Sequence, residues 1–374
     1  MRRMIVPVLL ALFAELAAAD DPVVPEVDAK AFFLVDASSG SVLAESNASE
    51  PLHPASLTKL MTAYLAFAAL DAGDVALQDP VPVSEKAWRA RGSRMFIEVD
   101  TEVAFVDLLR GLIVQSGNDA AIALAEHLAG SEEAFVAAMN ETAAALGMND
   151  TSFQNANGLP ARGHISTARD LARLANVLIE DFPEYYSYYS EREYTYNDIQ
   201  QHNRNELLWR DESVDGLKTG YTSAAGYCLV SSAERDGMRL VAVVLGSTSA
   251  AARTAGSMAL LDFGFESYET HKLYSRGEAV ARARVWKGKR DSLDLGPADD
   301  VYVTVPRGEY GKIMASAALT MELIAPLEID QAVGELAVSL GEQELFVLPL
   351  VALEGVREGW LLTRFADGIA LWFD

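Results

Sequence analysis

Three short groups of residues carry the chemistry this chain offers: Ser56-Leu57-Thr58-Lys59, Ser116-Gly117-Asn118 and Lys218-Thr219-Gly220. The first pairs a hydroxyl nucleophile with an amine one helical turn on. It follows Pro54-Ala55 at the expected start of an apolar helix, where unpaired N–H groups and the dipole favour negative charge. Lysine is a base only when neutral, and burial together with a second cation, for which Lys218 is the candidate, disfavours its charged form. The plainer reading is a serine N-cap before a solvent-facing lysine. Ser116 supplies a second hydroxyl able to relay a proton, and Asn118, donor and acceptor at once, is suited to holding Lys59 and a substrate amide in register. The alternative is a polar turn with Asn118 or Asp119 capping the next helix. Lys218 to Gly220 reads as the opening of a strand. Gly220 lets a substrate backbone approach, Thr219 offers its hydroxyl to a carboxylate, and Lys218 brings positive charge. The N–H groups of Tyr221 and Ser56 together can form an oxyanion hole; the alternative is an ordinary turn into a strand. No other lysine has a serine three residues before it, and neither of the other two patterns recurs.

Elements must bring these groups together. Ala31 to Leu43 reads as a hairpin turning at Ser38-Ser39-Gly40. Leu57 to Leu70 is apolar at nearly every position, the pattern of a buried helix. Helices are expected over Thr101 to Leu112, Ala120 to Leu128, Ser131 to Leu146 and Thr167 to Ile179, and strands over Lys218 to Thr222, Tyr227 to Glu234 and Arg239 to Leu245, with a turn at Asp236-Gly237. Thr248 to Phe263 returns to helix. Strands at both ends with helices between predict an α/β (α+β) domain with a mixed sheet and flanking helices, its first strands pairing with its last. Beyond about Tyr268, alternation in Val301 to Val305, Leu336 to Leu340 and Leu345 to Leu348 predicts a small all-β, sandwich-like domain.

The ends and the composition narrow the setting. Arg2 and Arg3, an apolar Met4 to Leu16 and Ala17-Ala18-Ala19 predict a cleaved export signal over 1–19. The domains are then expected at 25–267 and 268–355, with an amphipathic helix at 356–374. On that helix Leu361, Phe365, Gly368, Ile369 and Trp372 share one face, suited either to an inner-membrane surface or to docking on its own domain. Cys228 is the one cysteine, so no internal disulfide forms, and it reads as core filler. A formal net charge of −24 excludes a nucleic-acid partner. The five histidines (His53, His127, His164, His202, His271) have no metal-ligand spacing, and no cofactor is expected.

The ordered motifs resemble the penicillin-binding protein and serine β-lactamase superfamily, with its β-lactamase/transpeptidase-like fold. More narrowly the chain is similar to the low-molecular-mass D-alanyl-D-alanine carboxypeptidases. The likeness runs through Pro54 to Lys59, Gln115-Ser116-Gly117-Asn118-Asp119-Ala120, Asn203-Arg204-Asn205 and Asp215 to Gly220. The resemblance implies an acyl-enzyme on Ser56 formed from a peptidoglycan stem peptide ending in D-Ala-D-Ala, with β-lactam antibiotics as covalent mimics, in an exported, periplasmic protein. It implies that Arg253 holds the terminal carboxylate and that Arg204 borders the site; as isolated residues, both also fit surface ion pairs. Some relatives carry histidine where this chain has Tyr221, which bears on deacylation. A class A β-lactamase would need a deacylating glutamate that Glu206-Leu207-Leu208 does not match. An endopeptidase and a non-catalytic wall-binding or penicillin-sensing module are the other rivals.

Overall fold

The computed structural model describes residues 22–361 together with 364, 365 and 367. The expected export signal lies outside the described residues. So does most of the expected terminal helix, of which Trp360, Leu361 and Phe365 are described and highly exposed. Its expected start at 356 is too early, because the buried Val356 packs in the β-domain core, and Val356 and Glu358 make β-bridges to Leu327 and Gly288.

The chain's first strands do pair with its last. Strands β1 (Ala31–Asp36), β2 (Val42–Ser46), β3 (Val214–Thr222), β4 (Gly226–Arg235) and β5 (Met238–Ser247) form one sheet in the order β2-β1-β5-β4-β3. Every pairing in it is antiparallel, so the sheet is not mixed in strand direction as expected. Tight turns account for this. Asp236 and Gly237 both have positive φ (52° and 80°), the conformation a two-residue hairpin requires. Strand alternation divides the core: Phe33 and Val35 face one apolar layer, and Phe32 and Leu34 face the other.

Helices cover both faces. The first layer holds α1 (Lys59–Asp71), α2 (Phe105–Ile113), α3 (Asn118–Ala129), α4 (Glu132–Ala145) and α5 (Ala168–Asp181). Helix α1 is surrounded by α2, α3 and α5, so Leu60, Met61, Ala63, Ala66 and Phe67 are fully buried. On the opposite face lies α6 (Ala250–Ser267), with Leu260, Leu261 and Phe263 against the sheet. Ser131, Thr167 and Ser249 each accept a backbone N–H at a helix start.

Two expected starts move. Glu102–Ala104 is a short strand paired with Pro80–Pro82, because Val103 and Val81 bury against each other, and α2 begins only at Phe105. Strand β3 begins at Val214, so Lys218 lies mid-strand and does not open it.

The second domain is all β. Five antiparallel strands run in the spatial order 281–284, 292–297, 343–352, 332–340 and 313–319, beside a pair formed by Tyr268–Tyr274 and Val301–Pro306. It is tied to β1 through the fully buried Asp36, whose carboxylate accepts from Thr270 Oγ1 (2.8 Å), Ser39 Oγ (2.8 Å) and the Ser39 N–H (2.7 Å). Thr304 Oγ1 closes the cluster against Ser39 Oγ at 2.6 Å.

Candidate active site

Ser56 sits in a single 3-10 turn, Ala55–Thr58, that feeds directly into α1. Leu57 N–H donates to Pro54 O (3.1 Å), and Ala55 adopts φ +49°, a strained value for a residue with a side chain. Lys59, 1% exposed, starts α1, and its Nζ lies 3.1 Å from Ser56 Oγ. Nζ also donates to Asn118 Oδ1 (2.6 Å) and to the Asn157 carbonyl (2.8 Å). Both partners are pure acceptors. A neutral amine has two hydrogens, so these two contacts consume them and leave its lone pair facing the Ser56 hydroxyl. Burial lowers the Lys59 pKa to about 7, helped by the Arg204 charge and opposed by Asp119. Arg204 thus adds to the mutual repulsion between Lys59 and Lys218, which was the expected pairing.

The second motif is built by a backbone reversal between α2 and α3. Ser116 takes φ +63°, Gly117 precedes the helix, and Asn118 is its first residue; neither Asn118 nor Asp119 is the cap. Asn118 donates through Nδ2 to Arg91 O (2.6 Å), which fixes its Oδ1 as the acceptor turned to Lys59. The buried Asp119 carboxylate takes the N–H groups of Met95 (3.0 Å) and Phe96 (2.9 Å), pinning the segment that walls this side of the site.

Strand β3 supplies the third side as the edge strand of the sheet. Gly220 is needed for a reason other than substrate access. A Cβ there would lie 3.1 Å from Pro54 O and 3.3 Å from Ser56 N, so glycine lets the strand lie against the Ser56 turn. Lys218 is buried, and its pKa is driven well below the usual lysine value by burial first, then by the charges of Lys59, Arg204 and Arg253. Thr219 and Tyr221 line the cleft beside it, and the exposed Tyr221 ring packs on Tyr227 with centroids 4.3 Å apart.

These pieces enclose a cleft of ≈ 670 Å³ reached by Ser56, Ser116, Asn118, Thr219, Gly220, Tyr221, Arg204 and Arg253. Lys59 and Lys218 lie buried behind it, so all ten expected residues come together. Arg253 is 6% exposed, and its Nε is buried without a hydrogen-bond partner among the described residues. Neither Arg253 nor Arg204 forms an ion pair among the described residues, which removes the surface-pair reading. Arg204 stands at the rim between two buried asparagines. Asn203 donates to Glu191 O (3.0 Å) and Asn205 to Gly216 O (2.9 Å), explaining the Asn-Arg-Asn spacing. In a chain of net charge −24, this cleft brings two arginines and two lysines together, and the two arginines set up a field suited to an anionic ligand. Glu206 reaches the rim but is engaged by Arg210 at 2.7 Å.

Asn157 and Gly158 are parts of the site that residue types did not reveal. Asn157 contributes through its carbonyl, which carries no side-chain signature. At Gly158 (φ +86°) a Cβ would fall 1.9 Å from Ala55 O, so only glycine closes the loop over the Ser56 turn.

A serine and a buried lysine in contact, a serine and asparagine between helices, and a lysine-bearing edge strand define a penicillin-binding-type serine peptidase domain. Residues 17–249 match the family model described as D-alanyl-D-alanine carboxypeptidase, peptidase S11, and residues 268–358 match that of the penicillin-binding protein 5 C-terminal domain. The chain belongs to the peptidase S11 D-alanyl-D-alanine carboxypeptidase family and is a serine-type D-Ala-D-Ala carboxypeptidase. It is 44% identical to D-alanyl-D-alanine carboxypeptidase DacC of Escherichia coli K12, over 97% of this chain and 94% of that protein. It is 42% identical to DacA of the same strain, over 98% and 94%. The solved structure of penicillin binding protein 5 from Haemophilus influenzae superposes with a TM-score of 0.87 at 38% identity, over 90% of this chain and 99% of that one.

Proposed function

We propose that Ser56 is the nucleophile and neutral Lys59 its base, acting on a peptidoglycan stem peptide that ends in D-Ala-D-Ala. The observation that carries this is the Lys59 amine, held by two pure acceptors with its remaining valence toward Ser56 Oγ at 3.1 Å. Ser56 Oγ attacks the penultimate D-alanine carbonyl as its proton passes to Lys59 Nζ. The resulting oxyanion lies between the N–H groups of Ser56 and Tyr221. The C–N bond then breaks, and Ser116 hands the proton from Lys59 to the departing amine, releasing D-alanine. Water repeats the sequence on the ester and frees the shortened peptide. Arg253, with Lys218 and Thr219, receives the terminal carboxylate, and Arg204 lowers the Lys59 pKa from the rim. A β-lactam ring opens on Ser56 by the same attack, and its ester is released slowly because Glu206-Leu207-Leu208 does not match the deacylating glutamate loop of a class A β-lactamase.

The test is D-alanine release from diacetyl-L-Lys-D-Ala-D-Ala. Wild type is expected to turn over and Ser56→Ala to fall by at least about 10⁴-fold, the scale for losing a catalytic nucleophile. Turnover by Ser56→Ala within tenfold of wild type would refute the assignment.

We assign 25–267 to the catalytic domain and 268–359 to the β domain, after an export signal at 1–19 that directs the protein to the periplasm. The segment from Trp360 on is assigned as a helix lying on the inner-membrane surface, supported by the exposure of Trp360 (80%), Leu361 (83%) and Phe365 (73%). Among the described residues no helix is long and apolar enough to cross a membrane. Deleting residues after Gly359, which spares the buried Val356 and the bridging Glu358, is expected to move the protein from sedimented membranes to the supernatant; unchanged sedimentation would refute the anchor.

A further inference from the structure

One buried histidine has no part in the chemistry above. His164 is 1% exposed and lies outside the cleft lining. Its ring is held from both ends. The Gln154 N–H donates to Nδ1 (3.0 Å), which makes Nδ1 an acceptor and places the proton of the neutral ring on Nε2. Nε2 lies 2.7 Å from Thr58 Oγ1, and Thr58 Oγ1 donates in turn to Ala55 O at 2.8 Å. All three contacts therefore run in one direction, from the Gln154 amide through the imidazole and the Thr58 hydroxyl to the Ala55 carbonyl.

That carbonyl belongs to the peptide unit whose other end is the Ser56 N–H. A trans peptide is planar, with its C=O and N–H pointing in opposite directions. Fixing the oxygen therefore fixes the direction of the nitrogen's hydrogen. The unit needs fixing, because Ala55 sits at φ +49° and Ser56 comes early in its turn, where N–H groups have no acceptor within the helix. Gly158 packs against the same carbonyl and leaves no room for it to rotate on that side.

We propose that His164 is a positioning residue for the oxyanion hole: through Thr58 it orients and polarises the Ala55–Ser56 peptide, aiming the Ser56 N–H at the oxygen that becomes negative. Directional chains of hydrogen bonds strengthen their members, so the chain also makes that N–H a better donor. Burial, with the His53 charge adding to it, lowers the His164 pKa to about 4, so the ring stays neutral and keeps its Nε2–H at neutral pH. The His53 side chain, from the segment before the turn, binds the His164 carbonyl at 3.1 Å and leaves the His164 ring nitrogens to this chain of contacts.

This inference rests on Ser56 N–H serving as an oxyanion donor, and the experiment separates the two. Penicillin acylation is followed by stopped flow for wild type, Ser56→Ala, His164→Leu, His164→Gln, Thr58→Val and the His164→Leu/Thr58→Val pair, with melting temperatures as a check on folding. Acylation of wild type and its loss in Ser56→Ala establish the site independently of His164. Loss of an oxyanion donor lowers rates by about 10²–10³-fold, and misorienting one is expected to lower the acylation rate constant by about 10–100-fold with non-covalent penicillin affinity unchanged. Thr58→Val is expected to show the same loss, the double variant no more than either single one, and His164→Gln, which restores an N–H donor, a rate within threefold of wild type. Thr58→Val within threefold of wild type overturns the proposal, as do additive losses or a folded His164→Gln no better than His164→Leu. If His164→Leu fails to fold, Thr58→Val decides alone.

Discussion

Replacing Lys59 with methionine is expected to lower Ser56 acylation by about 10³-fold, within the range supplied by a positioned general base. Methionine keeps the unbranched length and fits the buried site but has no amine. Stopped-flow acylation by penicillin measures the loss, and a folded variant within tenfold of wild type would contradict the role. The pH dependence follows with a definite sign. With its pKa near 7, Lys59 is protonated and inactive as a base below that pH and neutral above it. Wild-type acylation is therefore expected to rise through about pH 7 and level off, and the methionine variant to lose that rise. A wild-type rate that falls as pH increases from 6 to 8 would reverse the assignment of which form is active.

The second large effect concerns the acidic end of the substrate. Arg253 is buried at the cleft wall with Nε unpartnered and no ion pair among the described residues, so its charge is poised for a ligand. A hydrogen bond to a charged group contributes about 1.5–3 kcal/mol. Arg253→Leu is expected to raise KM for diacetyl-L-Lys-D-Ala-D-Ala by about 10–100-fold and to leave a C-terminally amidated peptide almost unaffected. Discrimination between acid and amide that persists in Arg253→Leu would place the carboxylate elsewhere.

Chemistry was more legible in this chain than geometry. The three motifs named the side chains that meet at the cleft, because a nucleophile, an amine and a cationic strand edge must be particular residue types. Where a role falls to the backbone, the residue type is silent. The Asn157 carbonyl that holds Lys59 is such a case, and so is the close approach of Gly220 to the Ser56 turn, which residue chemistry had suggested was room for substrate. Long apolar helices such as α1 were plain from their pattern. The short strand Glu102–Ala104 was not, since three residues beside a helical run carry no period of their own. Strand direction in the sheet likewise depends on which turns close, and the lengths of β3 and of the 3-10 turn at Ser56 depend on contacts made after folding.

The account stands or falls on Lys59 being uncharged near neutral pH, and this can be observed without turnover. The chain contains only eight lysines, so carbon-13 labelling at lysine Cε gives a spectrum simple enough to assign with Lys59→Met. Titration by NMR is predicted to show the Lys59 signal shifting with a midpoint near 7, well below the value of about 10.4 for a lysine in a model peptide. A Lys59 midpoint above about 9.5 in the folded protein, where the amine would be an ammonium throughout the working range, would contradict a neutral lysine as the base that activates Ser56.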